Sequence, residues 1–192
     1  MQKSKKMVVI SLTILMGLGL TGMRASRVQA NSWGTKVPYI TPKQTRGTWY
    51  YKENNKIKKM VITAHTFRGK KLYKILPAKE FNKMSTKLIK ADEKNHYQVS
   101  KRISAKWLQA ETIHKNGTTG FNADGWLAGA GNGTYFLPTQ KVRHGKKVPT
   151  LRIGYGAGNW RMAYAYKSKA LAKNSKWSSR KIRKKSRNYF AE

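Results

Sequence analysis

The stretch Arg46-Gly-Thr-Trp-Tyr-Tyr-Lys52 marks where the folded part of the chain is expected to begin. Its threonine, tryptophan and tyrosines are residue types that fill a half-buried, pleated surface well. Gly47 allows the backbone to turn just ahead of them. After a break at Glu53-Asn54-Asn55, the chain continues into a second strand-like run from Ile57 to Phe67. The two runs together predict a β-hairpin at the start of the fold.

Further strand-like runs follow, separated by turns that contain glycine or asparagine. The turn signals are Arg68-Gly-Lys70, Asn116-Gly117 and Arg143-His-Gly-Lys146. The remaining strand candidates are residues 71–76, 97–103, 107–113, 133–142, 151–155 and 160–166. About eight strands in all predict an all-β fold: an antiparallel β-barrel, with a strongly curled sheet or a sandwich as the alternative.

Residues 78–90 are open to two interpretations. Phe81, Met84 and Leu88 fall near helical spacing and Pro77 stands just ahead, which favours a short amphipathic helix. Two more β segments would also fit. From Tyr97, by contrast, apolar Tyr97, Val99 and Ile103 alternate with polar residues, which predicts a strand.

The N-terminal thirty residues have the composition of a secretory signal peptide. Three lysines precede an uncharged apolar run from Val8 to Met23, and Val28-Gln-Ala30 has small residues where a signal peptidase cleaves. An uncleaved N-terminal anchor is the alternative. We therefore expect four parts: a signal peptide at 1–30, an extended lead-in at 31–45, a barrel domain at 46–167, and a flexible or helical basic tail at 168–192. No transmembrane segment is expected in the mature chain.

Charge is the strongest global signal in the sequence. The chain has 41 Lys and Arg against 7 Asp and Glu, a formal net charge of +34, and it has no cysteine. The missing cysteines exclude disulfides, a lipid-modified cysteine and thiolate metal sites. A field of this sign attracts polyanions. Because export is expected, the predicted partner is an anionic cell-wall polymer or an anionic membrane surface, and nucleic acid is less favoured. The alternative is that the charge serves only solubility.

The most concentrated basic segment is the tail. A cluster of this density can retain a protein at an anionic surface without a dedicated pocket, although a solvated tail without a partner would have the same composition. The predicted polyanion-binding residues are Lys176, Arg180, Lys181, Arg183, Lys184, Lys185 and Arg187.

Aromatic residues in the strand-like runs are the second candidate set. Most are expected to fill the barrel core, and a minority could line a pocket beside lysines. The residues in question are Trp49, Tyr51, Trp107, Trp126, Trp160 and Tyr164.

Catalytic motifs are not evident in the sequence. The four histidines are far apart and form no metal-binding pair, and the glycine clusters at 129–133 and 154–158 are interpreted as turns rather than phosphate cradles. Glu111 and Asp124 could in principle form a two-carboxylate glycosidase site, but only their presence supports it. We therefore expect no enzyme activity, catalytic residue, cofactor or metal.

Several segments together carry a resemblance to a known group. Arg46-Gly-Thr-Trp-Tyr-Tyr51, the hairpin that continues through residues 58–66, Asp124-Gly-Trp126, Val142-Arg-His-Gly-Lys146 and residues 164–172 resemble the small, lysine-rich secreted proteins of lactic-acid bacteria. That resemblance implies export by a Gram-positive cell and implies no activity. The Gly47-Thr-Trp49 opening is also similar to the start of lipocalin-like barrels.

The sequence thus predicts a secreted, strongly cationic, non-enzymatic binding protein that is held at the cell envelope by anionic polymers or lipids. One alternative is a lipocalin-like carrier of a small apolar ligand. The other is a secreted cationic antimicrobial or nucleic-acid-binding protein.

Overall fold

The computed structural model describes residues 33–129, 131 and 133–173, and these residues are built around a closed β-barrel. The nine strands are β1 (Gly47–Glu53), β2 (Lys56–Ile62), β3 (Thr66–Phe67), β4 (Lys70–Lys74), β5 (Trp107–Lys115), β6 (Thr118–Gly125), β7 (Thr134–Arg143), β8 (Lys146–Tyr155) and β9 (Trp160–Tyr166). The helices are α1 (Ala78–Lys94), α2 (Gln98–Lys106) and α3 (Lys169–Lys173), with a 3₁₀ turn at Lys43–Thr45. The prediction of an all-β barrel of about eight strands is confirmed.

The strands follow one another around the barrel in sequence order, and β1 closes the sheet against β9. All pairs are antiparallel except β4 and β5, which run parallel with Lys71 opposite Trp107. The barrel is therefore mixed, where a purely antiparallel one was expected. A parallel pair needs a long crossover connection, and α1 and α2 provide it here.

Short turns of one kind join four of the eight antiparallel pairs. In each, two consecutive residues have positive φ, the geometry that matches the twist of a hairpin and favours Asn and Gly. The pairs are Asn54-Asn55, Arg68-Gly69, Asn116-Gly117 and His144-Gly145. All four coincide with breaks or turns expected from the sequence.

Large apolar side chains occupy the barrel interior. Trp49, Met60 and Ile62 come from the first hairpin, and Phe121 and Phe136 meet with their ring centroids 4.9 Å apart. All five are almost fully buried. Burial of this kind is the main source of stability in a chain that has no disulfides.

A second apolar cluster lies outside the barrel, between the two helices and the strands they cover. Leu88 of α1 and Ile103 of α2 pack there with Trp126 and Leu127 from the segment after β6. This cluster fixes the position of α1 relative to β5 and β6.

The segment after β4 is helical, as the apolar spacing at 78–90 favoured, and α1 extends to Lys94. The strand predicted from Tyr97 is wrong, because residues Gln98–Lys106 form α2. Val99 and Ile103 are four residues apart and fit a helix as well as alternate strand positions. His96 and Tyr97 adopt left-handed backbone conformations, with φ of 48° and 60°, and this break separates α1 from α2.

The strand-like run expected from Ile57 to Phe67 is divided into β2 and β3. The Thr63 hydroxyl accepts hydrogen bonds from the amides of His65 and Thr66 at 3.2 and 3.0 Å. Such local bonds offer the backbone an alternative to the strand ladder, and they bend the chain at this point.

Segments outside the predicted barrel boundaries also pack against the strands. Tyr39 donates its amide to Leu72 and places its ring in the barrel core. At the other end, Ala172 of α3 is fully buried against neighbouring elements. Both the lead-in and the first residues after β9 therefore contribute to the folded unit.

The opening stretch is held by a residue from the end of the fold. Lys167, just after β9, donates a hydrogen bond to the carbonyl of Arg46 at 2.7 Å, and its ammonium lies 3.6 Å from the ring centroid of Trp49. Gly47 leaves room for this side chain, since an added Cβ would lie 2.8 Å from the lysine nitrogen. Within the described residues, no helix is long and apolar enough to cross a membrane.

Candidate functional site

One exposed face of α1 consists of lysines. They recur every three or four residues, so they fall on one side of the helix within roughly a quarter of its circumference and extend for about 22 Å. The opposite side, with Phe81, Met84 and Leu88, packs on the apolar cluster outside the barrel. The lysine face of α1 consists of Lys79, Lys83, Lys87, Lys90 and Lys94, all exposed.

Two acidic residues of the same helix are engaged in structural hydrogen bonds. Glu80 accepts the amide of Thr35 at 2.7 Å. The carboxylate of buried Asp92 accepts the amides of Val99 and Ser100, both at 3.0 Å, at the start of α2. Burial alone would raise the pKa of Asp92, but the hydrogen bonds from Ser100 and Val99 outweigh it and hold that pKa below its ordinary value.

An open cleft of about 360 Å³ lies between the start of α1 and the outward faces of β5 and β6. Two of its lining residues are carboxylates, Glu111 from β5 and Asp124 from β6, whereas Leu76 and Phe81 provide an apolar wall. The antiparallel register places Gln109 opposite Asp124 and Glu111 opposite Asn122, so all four side chains project to the same side of the sheet. We call this the acidic cleft.

Two buried amide side chains form part of this cleft. Gln109 donates to the carbonyl of Ala128 at 2.8 Å and accepts the amide of Leu127 at 3.2 Å, which fixes the segment after β6. Asn122 is 9% exposed, and its side-chain oxygen has no hydrogen-bond partner within the described part of the chain. Gly133 lies against that oxygen and an added Cβ would collide with it.

The electrostatics of the cleft are set by its two carboxylates. Burial raises the pKa of Asp124, opposed by a hydrogen bond of 2.7 Å from the amide of Gly125. The pKa of neighbouring Tyr135 is also raised, first by burial and then by the negative charges of Glu111 and Asp124. The tyrosine therefore stays neutral at physiological pH, and among the described residues no basic side chain lines the cleft.

Both surfaces have signals in the sequence. Four of the five α1 lysines already share one side of the helix favoured for residues 78–90, and the extension of α1 to Lys94 adds the fifth. On its β6 side, the cleft corresponds to an interruption in the positive charge, because no Lys or Arg occurs between Lys115 and Lys141. Glu111 and Asp124 were paired as a hypothetical site, and the structure brings them to one cleft.

The candidate aromatics occupy three kinds of environment. Trp49 and Tyr51 are in the barrel core, while Trp126 and Trp107 belong to the cluster outside it. Trp160 is 41% exposed, with its ring over Gly156 and Gly158.

Tyr164 is half-buried between Lys141 and Arg161. Burial would raise its pKa, but the hydrogen bonds and charges of Arg161 and Lys141 prevail and lower it.

The seven predicted polyanion-binding residues of the tail, Lys176 to Arg187, lie outside the described residues, as does the predicted signal peptide. Within the described ranges, no group of three or more His, Cys, Asp and Glu side chains could hold a metal ion. Two of the histidines make local contacts, His65 with the carbonyl of Tyr39 and His114 with Thr119.

Comparison with known proteins found no family model, no curated protein and no solved structure that matches this chain.

Proposed function

We propose that this is a secreted, non-enzymatic binding protein that is retained at the cell envelope by electrostatic attraction to an anionic wall polymer or an anionic lipid surface. The observation that supports it most directly is the lysine face of α1. Five exposed lysines at about one-turn intervals form a row along the helix, and the ammonium of one of them, Lys87, lies 5.2 Å from the ring centroid of Trp33. A chain or surface of phosphates can contact several lysines of such a row at once.

The lysine face has a cost for the helix that bears it. Lysines at i and i+4 repel each other, and each such pair destabilises an isolated helix by roughly 0.2–0.5 kcal/mol. Lys79 is also in the first turn, where the helix dipole disfavours positive charge. A bound polyanion would relieve both effects, which argues for a partner rather than for solubility alone.

The expected strength of binding follows from the number of contacts. A lysine near an anionic surface contributes on the order of 1 kcal/mol to the free energy of binding. A row of such lysines therefore contributes enough to retain the protein at that surface. The predicted basic tail would add to this attraction. The density of aromatic side chains in the barrel interior gives the lipocalin-like carrier no comparable support.

The test is a variant in which four lysines of the face are neutralised: Lys79→Gln, Lys83→Gln, Lys90→Gln and Lys94→Gln. Its matched control removes the same charge elsewhere, from four exposed lysines on β2 and β8: Lys56→Gln, Lys58→Gln, Lys59→Gln and Lys146→Gln. Binding of the mature chain to purified wall polymer, anionic vesicles, neutral vesicles and DNA is measured at two salt concentrations.

We expect the α1 variant to lose between about 100- and 1,000-fold in affinity for the anionic surface, and the control to lose less than about tenfold. Equal losses of affinity in the two variants would show that binding depends on net charge alone, and the proposed role of α1 would be wrong. Tighter binding to DNA than to wall polymer or vesicles would favour the nucleic-acid alternative.

A further inference from the structure

Among the cavities formed by the described residues, the acidic cleft combines two features that the others do not. Carboxylates face an apolar wall in it, and no basic residue contributes to its lining. The sequence explains part of this. Asp124 on β6 falls between Lys115 and Lys141, a segment that is free of Lys and Arg. In a chain with 41 basic residues, that gap keeps Asp124 from being neutralised by close neighbours in sequence, whereas Glu111 on β5 lies between Lys106 and Lys115.

The hydrogen-bonding groups that remain available in the cleft are mainly acceptors. The amide of Gln109 is used at both ends by the segment after β6. Glu111 is exposed, Asp124 has one oxygen committed to the amide of Gly125, and the buried side-chain oxygen of Asn122 has no donor within the described residues. An ionised carboxylate only accepts hydrogen bonds, so the cleft requires a ligand group that donates several.

We infer that the acidic cleft binds a protonated primary amine on a short aliphatic stem. An ammonium group has three donors and a positive charge, which suits the two carboxylates, while the unpartnered oxygen of Asn122 is buried in the cleft wall. The stem would lie against Leu76 and Phe81. A metal ion is a poorer occupant because no cluster of three ligating side chains exists in the described ranges, and an anion would be repelled by both carboxylates.

The surroundings of the cleft add a second requirement. Ala78 and Asn82 of α1 line it, and Lys79 and Lys83, which begin the lysine face, each follow one of them in sequence and lie about 100° further around the helix. The field of the whole molecule is positive and repels simple cations. The ligand that fits both features carries a phosphate close to its ammonium group, with the phosphate at the rim beside these lysines.

This inference deepens the proposed function and rests on it, since it narrows the anionic partner to one that displays ammonium groups next to phosphates. Such a unit can come from a wall polymer or from a lipid headgroup. The simplest probe of the shared chemistry is O-phosphoethanolamine. Glycerol 1-phosphate, which has hydroxyls in place of the amine, and the N-acetylated probe serve as matched ligands.

The experiment is a titration of the mature chain with these three compounds, followed by amide chemical shifts. We expect saturable shifts at Gly125, Leu127 and Gly129 with O-phosphoethanolamine and at least tenfold weaker binding of the other two ligands. Glu111→Gln should lower the affinity for O-phosphoethanolamine by at least tenfold, and Asp124→Asn should also lower it. Glu53→Gln, a carboxylate on β1, is the matched control and should leave the affinity unchanged.

Equal binding of the amine and its N-acetylated form, or shifts confined to residues outside the cleft, would overturn the inference. Glu111 is exposed, so its substitution should not impair folding, and a thermal melt checks this. A separate measurement tests the proposed function. Through the lysine face of α1, the wild-type protein and Glu111→Gln should both keep their affinity for a phosphate polymer that lacks amines. Vesicles with and without ethanolamine headgroups, compared with wall polymer before and after N-acetylation, distinguish the two sources.

Discussion

At the scale of single residues, the cleft depends on a glycine that no side chain can replace easily. Gly133 has a φ of 103°, a backbone conformation that residues with a Cβ rarely adopt. It also lies directly against the side-chain oxygen of Asn122. A Cβ added at this position would be 3.1 Å from the carbonyl oxygen of Ala123. Gly133 is thus required for the packing of Asn122, which lines the cleft.

We expect Gly133→Ala to lower the free energy of unfolding by about 1–3 kcal/mol, through backbone strain and the clash with Asn122. Gly129→Ala is the matched control, because an added Cβ there meets nothing within 4 Å. Chemical denaturation of both variants measures the difference. Equal stability of the two would mean that the Asn122 side chain moves aside without cost.

At the scale of elements, the two helices are coupled through one buried carboxylate. Asp92, near the end of α1, accepts two backbone amides at the start of α2, where helix donors lack partners within the helix. This contact explains how α2 begins directly after a break with two left-handed residues. It also fixes the orientation of the lysine face, since both helices share the apolar cluster outside the barrel.

Asp92→Ala should therefore destabilise the protein by about 1–2 kcal/mol at neutral pH, as expected for a lost helix cap. The folded pKa of Asp92 is below its unfolded value, so its stabilising effect is present above the unfolded pKa, about 3.9, and is lost as the pH falls through the folded pKa. Thermal melts from pH 7 to pH 2 should show the wild type and the variant converging in acid. A constant difference across that range would contradict the capping role of the carboxylate.

How far the elements could be predicted depended on whether their signals were local. The hairpin turns were predictable because Asn-Asn and Asn-Gly pairs favour the positive φ values that the turns require. The identity of α2 was not, since Val99 and Ile103 fit both periods and the deciding contact comes from Asp92, seven residues earlier. The parallel pairing of β4 and β5 joins segments more than thirty residues apart, and no local pattern encodes it.

The candidate site was predictable to the same extent: its residues could be named from the sequence, but their arrangement in space could not. Glu111 and Asp124 could be named from the sequence as a pair, but their shared cleft depends on the register between β5 and β6. The lysine spacing of α1 is visible in the sequence, yet it defines a face only if residues 78–90 are helical, and the sequence left a β alternative open there.

At the scale of the whole molecule, charge is distributed unevenly around a neutral interior. The chain has a net charge of +34, the barrel core is apolar, and the lysines of α1 lie on the outer surface with the acidic cleft beside them. Such a field accelerates encounters with polyanions, and its effect weakens with ionic strength. Attachment to the envelope through such contacts should therefore be reversible by salt.

The most direct test is a salt wash of intact cells that produce the protein, with the released fraction measured by immunoblot. Raising the salt from 0.15 M to about 0.5 M shortens the Debye length from about 8 Å towards 3 Å, so we expect most of the protein to be released. Full retention at about 0.5 M salt would contradict electrostatic attachment to an anionic surface.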